Sequence, residues 1–146
     1  MADAFEETVV RASISCESWP VVTIQFGGDQ EGDPNFFHTW SKVLNERCFQ
    51  DNKAVFVFDI QVGVGDVLEI LSGSFLTTMK QFCAAYHERM QAFSEGFVVV
   101  IRSEFFRSLA KQMAAMFPTD LPLVYVQNVC EARSEAAKLI KESPRA

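Results

Sequence analysis

Residues Asn52–Ile60 constrain this chain more than any other stretch. From Ala54 through Phe58 every side chain is apolar, most are β-branched or aromatic, and one carboxylate, Asp59, interrupts the run just before Ile60. A strand with one face in water alternates polar and apolar residues. An unbroken apolar run of this length predicts a strand buried on both faces of a sheet. Two comparable runs follow, Gly96–Ile101 and Leu121–Val126, each separated from its predecessor by residues with helical spacing. Buried strands alternating with helices predict an α/β architecture. Sheets of that kind meet ligands and partners at the carboxyl ends of their strands, which directs attention to Asp59 and the loop after it.

Composition narrows the classes. With 146 residues, 49% of them hydrophobic and 22% charged, the chain has the size and balance of one globular domain, here read as spanning 1–146 with ends near 1–6 and 143–146 frayed. No apolar run approaches the roughly 20 residues needed to cross a bilayer. The opening Met1–Glu7 is acidic where a signal peptide would be basic, so a cytoplasmic protein is expected. A net charge of -6 without a Lys/Arg cluster argues against nucleic acid as a partner. The four cysteines Cys16, Cys48, Cys83 and Cys130 form no C-x-x-C pair and are read as small buried apolar groups, with no metal and no cofactor expected.

In chain order, Thr8–Ile14 predicts an edge strand, Trp19-Pro20 a turn, and Val21–Phe26 a second strand stopped by Gly27-Gly28, together an opening hairpin. Asp33-Pro34 predicts a helix start, and Phe37, Trp40, Leu44 and Cys48 recur at helical spacing as its core stripe. His38 falls beside that stripe and is expected to face solvent. After the central strand, Gly63 and Gly65 permit a tight loop, and Asp66 with Glu69 has capping-box spacing for a short helical turn. Gly63-Val64-Gly65 lacks the third glycine of a dinucleotide fingerprint, and Asp66 would repel a pyrophosphate.

One long helix is predicted from Ser74 to about Phe93, with Phe75, Met79, Phe82, Cys83, Tyr86, Met90 and Phe93 on its apolar stripe. Ser72 and Ser74 stand at its entrance, as caps or as sites for a regulatory phosphate. Cys83 and Arg89 have the separation of a phosphatase loop, but the residues between them are helix formers where such a loop needs open backbone amides. Arg102-Ser103 lie at the exit of the next strand. A helix from Glu104 to Pro118 carries Phe105, Leu109, Met113 and Met116 as its core stripe, widened by Phe106 and Phe117. Pro122 near the start of the last strand suits a sheet edge, and Asn128 with Glu131 predicts a capped final helix with a narrow Ala132, Ala136, Leu139, Ile140 face.

The opening hairpin with Pro20–Ile24, the strand ending Val57-Phe58-Asp59, the strand Val98–Val100 and the closing Asn128–Ala132 together resemble the STAS fold of anti-sigma-factor antagonists, in particular the SpoIIAA-like branch. The resemblance is topological and spans nearly the whole chain. It implies a mixed, mostly parallel five-stranded sheet with an N-terminal hairpin and about four helices. It further implies a non-enzymatic, regulatory module that docks a protein partner through the loop after the central strand and the helix that follows. On this sequence the corresponding positions are Asp59, Gly63, Gly65, Asp66, Ser72 and Ser74. The family's phosphorylated Asp-Ser-Ser-Gly motif is replaced by Leu71-Ser72-Gly73-Ser74.

Two other classes compete with that expectation. A small-molecule or anion-binding protein, or an enzyme, would use the strand ends around Asp59, Arg102 and Ser103, where Asp59 and Arg102 would otherwise form a plain ion pair. A structural subunit or homodimer would use Phe-rich helix faces. A closed, water-free pocket between Asp59 and Arg102 favours the first rival, and a flat, apolar helix face favours the docking module.

Overall fold

A computed structural model describes residues 12–27, 33–47, 53–61, 74–102, 107, 111, 114, 115 and 120–141. Its elements run β1 (Ala12–Ser18), β2 (Val21–Gly27), α1 (Phe36–Lys42) with a π-helical turn over Val43–Arg47, β3 (Ala54–Gln61), α2 (Ser74–Ala85), α3 (His87–Phe93), β4 (Ser94–Val100), β5 (Leu123–Val126) and α4 (Val129–Lys141). The five strands form one sheet in the order β1-β2-β3-β4-β5. The hairpin pair β1–β2 is antiparallel and the other three pairings are parallel. This is the mixed α/β sheet expected from the alternating pattern, with β3 at its centre.

Strand alternation places two different cores on the two faces of the sheet. On one face Val22, Ile24, Phe26, Phe56, Phe58, Phe97 and Val99 pack under α1, α2 and α3. On the other, Val55, Val57, Val98, Val100 and Val126 pack under Ala132 and Ala136 of α4. Every residue of β3 from Ala54 to Ile60 is buried, which explains why the run carries no alternation. Aromatic contacts join the layers of the first core: Trp40 of α1 stacks on Phe82 of α2 at 4.5 Å, and Phe26 and Phe58 stack across β2 and β3 at 6.5 Å. Phe36 and Phe37 of α1 and Phe75 and Phe82 of α2 are therefore core, while Phe105, Phe106 and Phe117 lie outside the described residues.

The structure differs from the sequence expectations at several points. The described part of the first strand, Ala12–Ser18, runs past the expected end at Ile14, residues 8–11 lying outside the described ones, and a register shift between Ser15 and Ser18 precedes the turn at Trp19-Pro20. Asp33 does not cap α1 directly. Asn35 is the N-cap, and Asp33 instead accepts hydrogen bonds from the Asn35 N–H at 2.8 Å and the Thr39 hydroxyl at 2.6 Å. His38 is half-buried, its Nδ1 enclosed without a hydrogen-bond partner among the described residues. The expected long helix is two helices, because Tyr86 leaves helical geometry (φ -106°, ψ 13°) while the Tyr86 N–H to Phe82 O and Met90 N–H to Tyr86 O bonds carry the ladder across. Past that interruption Met90 is buried, and Arg89 donates to the carbonyls of Leu44 and Asn45 in the π-helical turn.

β5 is an edge strand with Leu123 and Tyr125 exposed, not a fully buried one; Pro122 marks its start. Of the cysteines, Cys83 is buried, Cys16 half-buried and Cys130 exposed, so the buried reading fits Cys83 alone in full; Cys48 lies outside the described residues. The short turn around Asp66–Leu71 and the stripe Phe105, Leu109, Met113 and Met116 also lie outside them, although Arg107, Lys111 and Ala114 are helical. No helix among the described residues is long and apolar enough to cross a membrane.

Two glycines are fixed by geometry. Gly27 ends β2 with a left-handed φ of 76°, a conformation other residues adopt at a steric cost. Gly96 lies where β4 approaches β5 and α4: a Cβ there would stand 2.9 Å from Leu139 Cδ1 and 3.1 Å from the Pro122 carbonyl oxygen.

Candidate functional site

β3 carries Asp59 to the carboxyl end of the sheet, in register between Gln25 of β2 and Val100 of β4. Its parity with Val55 and Val57 puts the carboxylate on the α4 side of the sheet. The chain leaving β4 stays tied to β5, since the Ile101 N–H donates to the Val126 carbonyl at 2.8 Å, and this delivers Arg102 beside Asp59. One guanidinium nitrogen of Arg102 contacts both carboxylate oxygens, at 3.0 and 3.2 Å. Gln61 Nε2 donates to the second oxygen at 2.7 Å. The Asp59 side chain is 6% exposed and that of Arg102 41% exposed, so a buried charge is matched by one that reaches water. A carboxylate held by three contacts is an anchor for the strand ends. It is not poised as a base aimed at an open site.

Of the remaining residues singled out by the sequence, Gly63, Gly65, Asp66, Ser72 and Ser103 lie outside the described residues. Ser74 is the first residue of α2, with its side chain likewise outside the description. The structure thus brings Asp59 and Arg102 together and places Gln61 and Ser74, on either side of residues 62–73.

Cys83 has none of the attributes of a nucleophile. It is buried in α2, and burial pushes its thiol up to about 12, where catalytic thiols are held low. Arg89 is engaged with backbone carbonyls of the π-helical turn, so the phosphatase-like spacing has no structural counterpart. Burial also raises the Cys16 thiol, opposed by the Arg47 guanidinium. Among the described residues no three His, Cys, Asp or Glu side chains gather as metal ligands.

Depressions flank these elements. An open groove of about 980 Å³ runs along the outer side of α2 and α3, lined by Lys80, Ala84, Ala85, His87, Glu88 and Ala115. A smaller pocket of about 500 Å³ opens at the carboxyl ends of β4 and β5, between Arg102, Arg107, Lys111, Ile101, Tyr125 and Asn128. Asn128 there caps α4, its side-chain oxygen accepting from the Glu131 N–H at 2.9 Å, while the Glu131 carboxylate accepts from the Gln127 N–H at 2.9 Å. Arg107, Lys111 and Tyr125 were not singled out by the sequence reading. The signal was present in part: Arg107 and Lys111 are four apart on a helical segment, and Tyr125 alternates with inward-facing Val124 and Val126.

The fold and this cluster define an α/β protein with a five-stranded mixed sheet, an antiparallel β1–β2 pair and four α-helices among the described residues. No protein-family model, curated protein or solved structure matches the chain.

Proposed function

We propose that the chain is a non-enzymatic protein-interaction module of the STAS, SpoIIAA-like type, which takes a protein partner on the loop following β3 and on α2. The observation that carries this reading is the outer face of α2. Its exposed positions are Thr77, Lys80, Gln81, Ala84 and Ala85, all uncharged but Lys80, and Lys80, Ala84 and Ala85 line the open groove. Exposed helix faces beside open grooves suit partner docking better than small-ligand capture, which uses concave and more enclosed sites. The opening hairpin followed by parallel β-α units supports the same reading. So does the engagement of Asp59 by Arg102 and Gln61, which leaves that carboxylate a structural role.

Ser72 and Ser74 stand at the entrance to α2, and a phosphate on either would meet the positive end of a 12-residue helix while adding about two negative charges beside the docking face. The partner is then released by charge and desolvation. The test is site-specific crosslinking in the cells that make the protein, with a photoreactive residue at position 77 or 84 on α2 and, as control, at 135 on α4. A protein crosslinked from α2 and not from α4, and lost when Ala84→Arg is introduced, is the expected result. Retention of that protein by Ala84→Arg, or equal capture from position 135, overturns the docking surface. Native protein without phosphate at Ser72 and Ser74, together with unchanged capture by the doubly Asp-substituted chain, overturns the switch.

A further inference from the structure

β5 ends the sheet and is paired on one side only, with β4. Two bonds show which of its backbone groups that pairing uses: the Phe97 N–H donates to the Pro122 carbonyl at 2.9 Å, and the Ile101 N–H to the Val126 carbonyl at 2.8 Å. Along an extended strand, successive residues turn their N–H and C=O to opposite sides. Pro122, Val124 and Val126 therefore face β4, and Leu123 and Tyr125 face the open edge. The N–H that Pro122 lacks is missing from the inner side, so the outer side keeps its donors. Leu123 and Tyr125 are also the exposed large hydrophobic residues among the described ones, at 37% and 45%. Both side chains lie on the sheet face of Phe97 and Val99.

Natural sheet edges are blunted by charged side chains, bulges or an outward-facing Pro. β1, the opposite edge, follows that rule, with Glu17 exposed and a register shift between Ser15 and Ser18. β5 does not. From Leu121 to Cys130 the chain carries no charged residue, although the whole molecule has a net charge of -6. Two copies of a net-acidic chain repel, and an uncharged stretch is where they meet at least cost. From these features we infer that β5 pairs antiparallel with β5 of a second copy about a two-fold axis at Val124, joining the two sheets into one. In that register Leu123 lies opposite Tyr125 of the second copy, and each such pair exchanges both of its N–H···O=C bonds. The two-fold repeats the pair, so the outward backbone groups of Leu123 and Tyr125 are satisfied in both copies. Each exposed Leu side chain then covers an exposed Tyr ring on the same face of the sheet. Carried outward, the register sets Asp120 opposite Asn128, so no like charges meet. This self-matching is what makes a second copy the occupant. Two four-residue strands are a small interface beside the roughly 1,200–2,000 Å² of stable complexes, so the association is weak and concentration-dependent.

The test is sedimentation of the intact chain from about 1 μM to about 1 mM, with amide exchange followed by NMR on the same samples. The mass should rise from 16.4 kDa to twice that value and stop there, and the Tyr125 amide should become protected over the same concentrations. Leu123→Pro deletes an outward N–H and leaves the groups that face β4, so it should weaken association by at least about tenfold while the β4 amides stay protected. Leu123→Ala keeps that N–H and should weaken association less. Tyr125→Lys, a change at an exposed side chain, should leave single chains. Glu17→Ala on the β1 edge should change nothing. A mass of 16.4 kDa throughout, growth past two copies, a Tyr125 amide whose exchange ignores concentration, or equal weakening by Leu123→Ala and Leu123→Pro overturns the pairing.

Discussion

Gly96 is the position where one added methyl group should disturb three elements at once. An alanine Cβ would lie 2.9 Å from Leu139 Cδ1 of α4, 3.1 Å from the Pro122 carbonyl oxygen and 3.4 Å from Pro122 Cβ. The first contact is with the end of a flexible side chain and can relax. The second is with backbone, and that same carbonyl accepts the Phe97 N–H at 2.9 Å at the start of the β4–β5 pairing. Relief by moving Pro122 therefore stretches a ladder bond at the sheet edge. Overpacking of this kind costs about 1–3 kcal/mol, the lower part of that range where the Leu139 end relaxes, so Gly96→Ala should destabilise by about 1–2 kcal/mol. With a urea slope of about 2 kcal/mol per M, the unfolding midpoint should fall by about 0.5–1 M at unchanged slope. Adding Leu139→Ala separates the two contacts: in the Gly96→Ala background it should cost less than in the native chain, since it also removes a clash. A midpoint within about 0.2 M of the native chain, or strict additivity of the two substitutions, would refute the close-packing argument.

The Asp59–Arg102 pair should respond asymmetrically. Arg102→Gln strands a buried carboxylate and should cost about 1–2 kcal/mol after allowance for solvent around the guanidinium, whereas Asp59→Asn frees a side chain that already reaches water and should cost less; equal losses in chemical denaturation would contradict this. Burial raises the Cys83 thiol from its ordinary 9.0 to about 12, so on alkalinisation the unfolded thiol ionises first. The stability owed to the neutral buried thiol is intact below pH 9 and lost on the way to 12, at up to about 1.4 kcal/mol per pH unit. The difference in stability between the native chain and Cys83→Ala, followed by denaturation across that interval, should shrink accordingly, and a constant difference would show that the thiol does not titrate this way. Arg89→Met removes the donors to Leu44 and Asn45, and should cost about 1–2 kcal/mol while speeding amide exchange in the π-helical turn; unchanged exchange there would mean that the turn stands without the guanidinium.

β3 was legible because burial on both faces erases alternation, a pattern hard to produce in any other setting. The apolar run Leu121–Val126 looks the same on paper, yet β5 is an edge strand with Leu123 and Tyr125 exposed. Composition records that a segment is apolar, not how many neighbours it has, and Pro122 was the single local sign of an edge. The break at Tyr86 had no sign at all, since no Gly or Pro stands between Ser74 and Phe93 and the residues around Tyr86 favour helix. Arg89 meets the carbonyl of Leu44 across 45 residues of chain, and no periodicity reports a contact of that separation. The Asp59–Arg102 pair was readable because both residues sit at the carboxyl ends of consecutive strands in the pattern, although the pattern left the strand order open. The pocket beside it was not, since three of its contributors belong to a helix face and an edge strand whose exposure only the assembled sheet decides.

Asp59 connects the two halves of this reading. It is the polar residue in the buried span of β3, and it is stable there because Arg102 and Gln61 satisfy it. That engagement also sets what Arg102 contributes to the neighbouring pocket: one of its terminal nitrogens is committed to the carboxylate, and its charge is partly neutralised there. A change at Arg102 therefore perturbs the buried carboxylate and the opening at the ends of β4 and β5 together, so its effect on stability has to be measured before any effect on that opening is assigned.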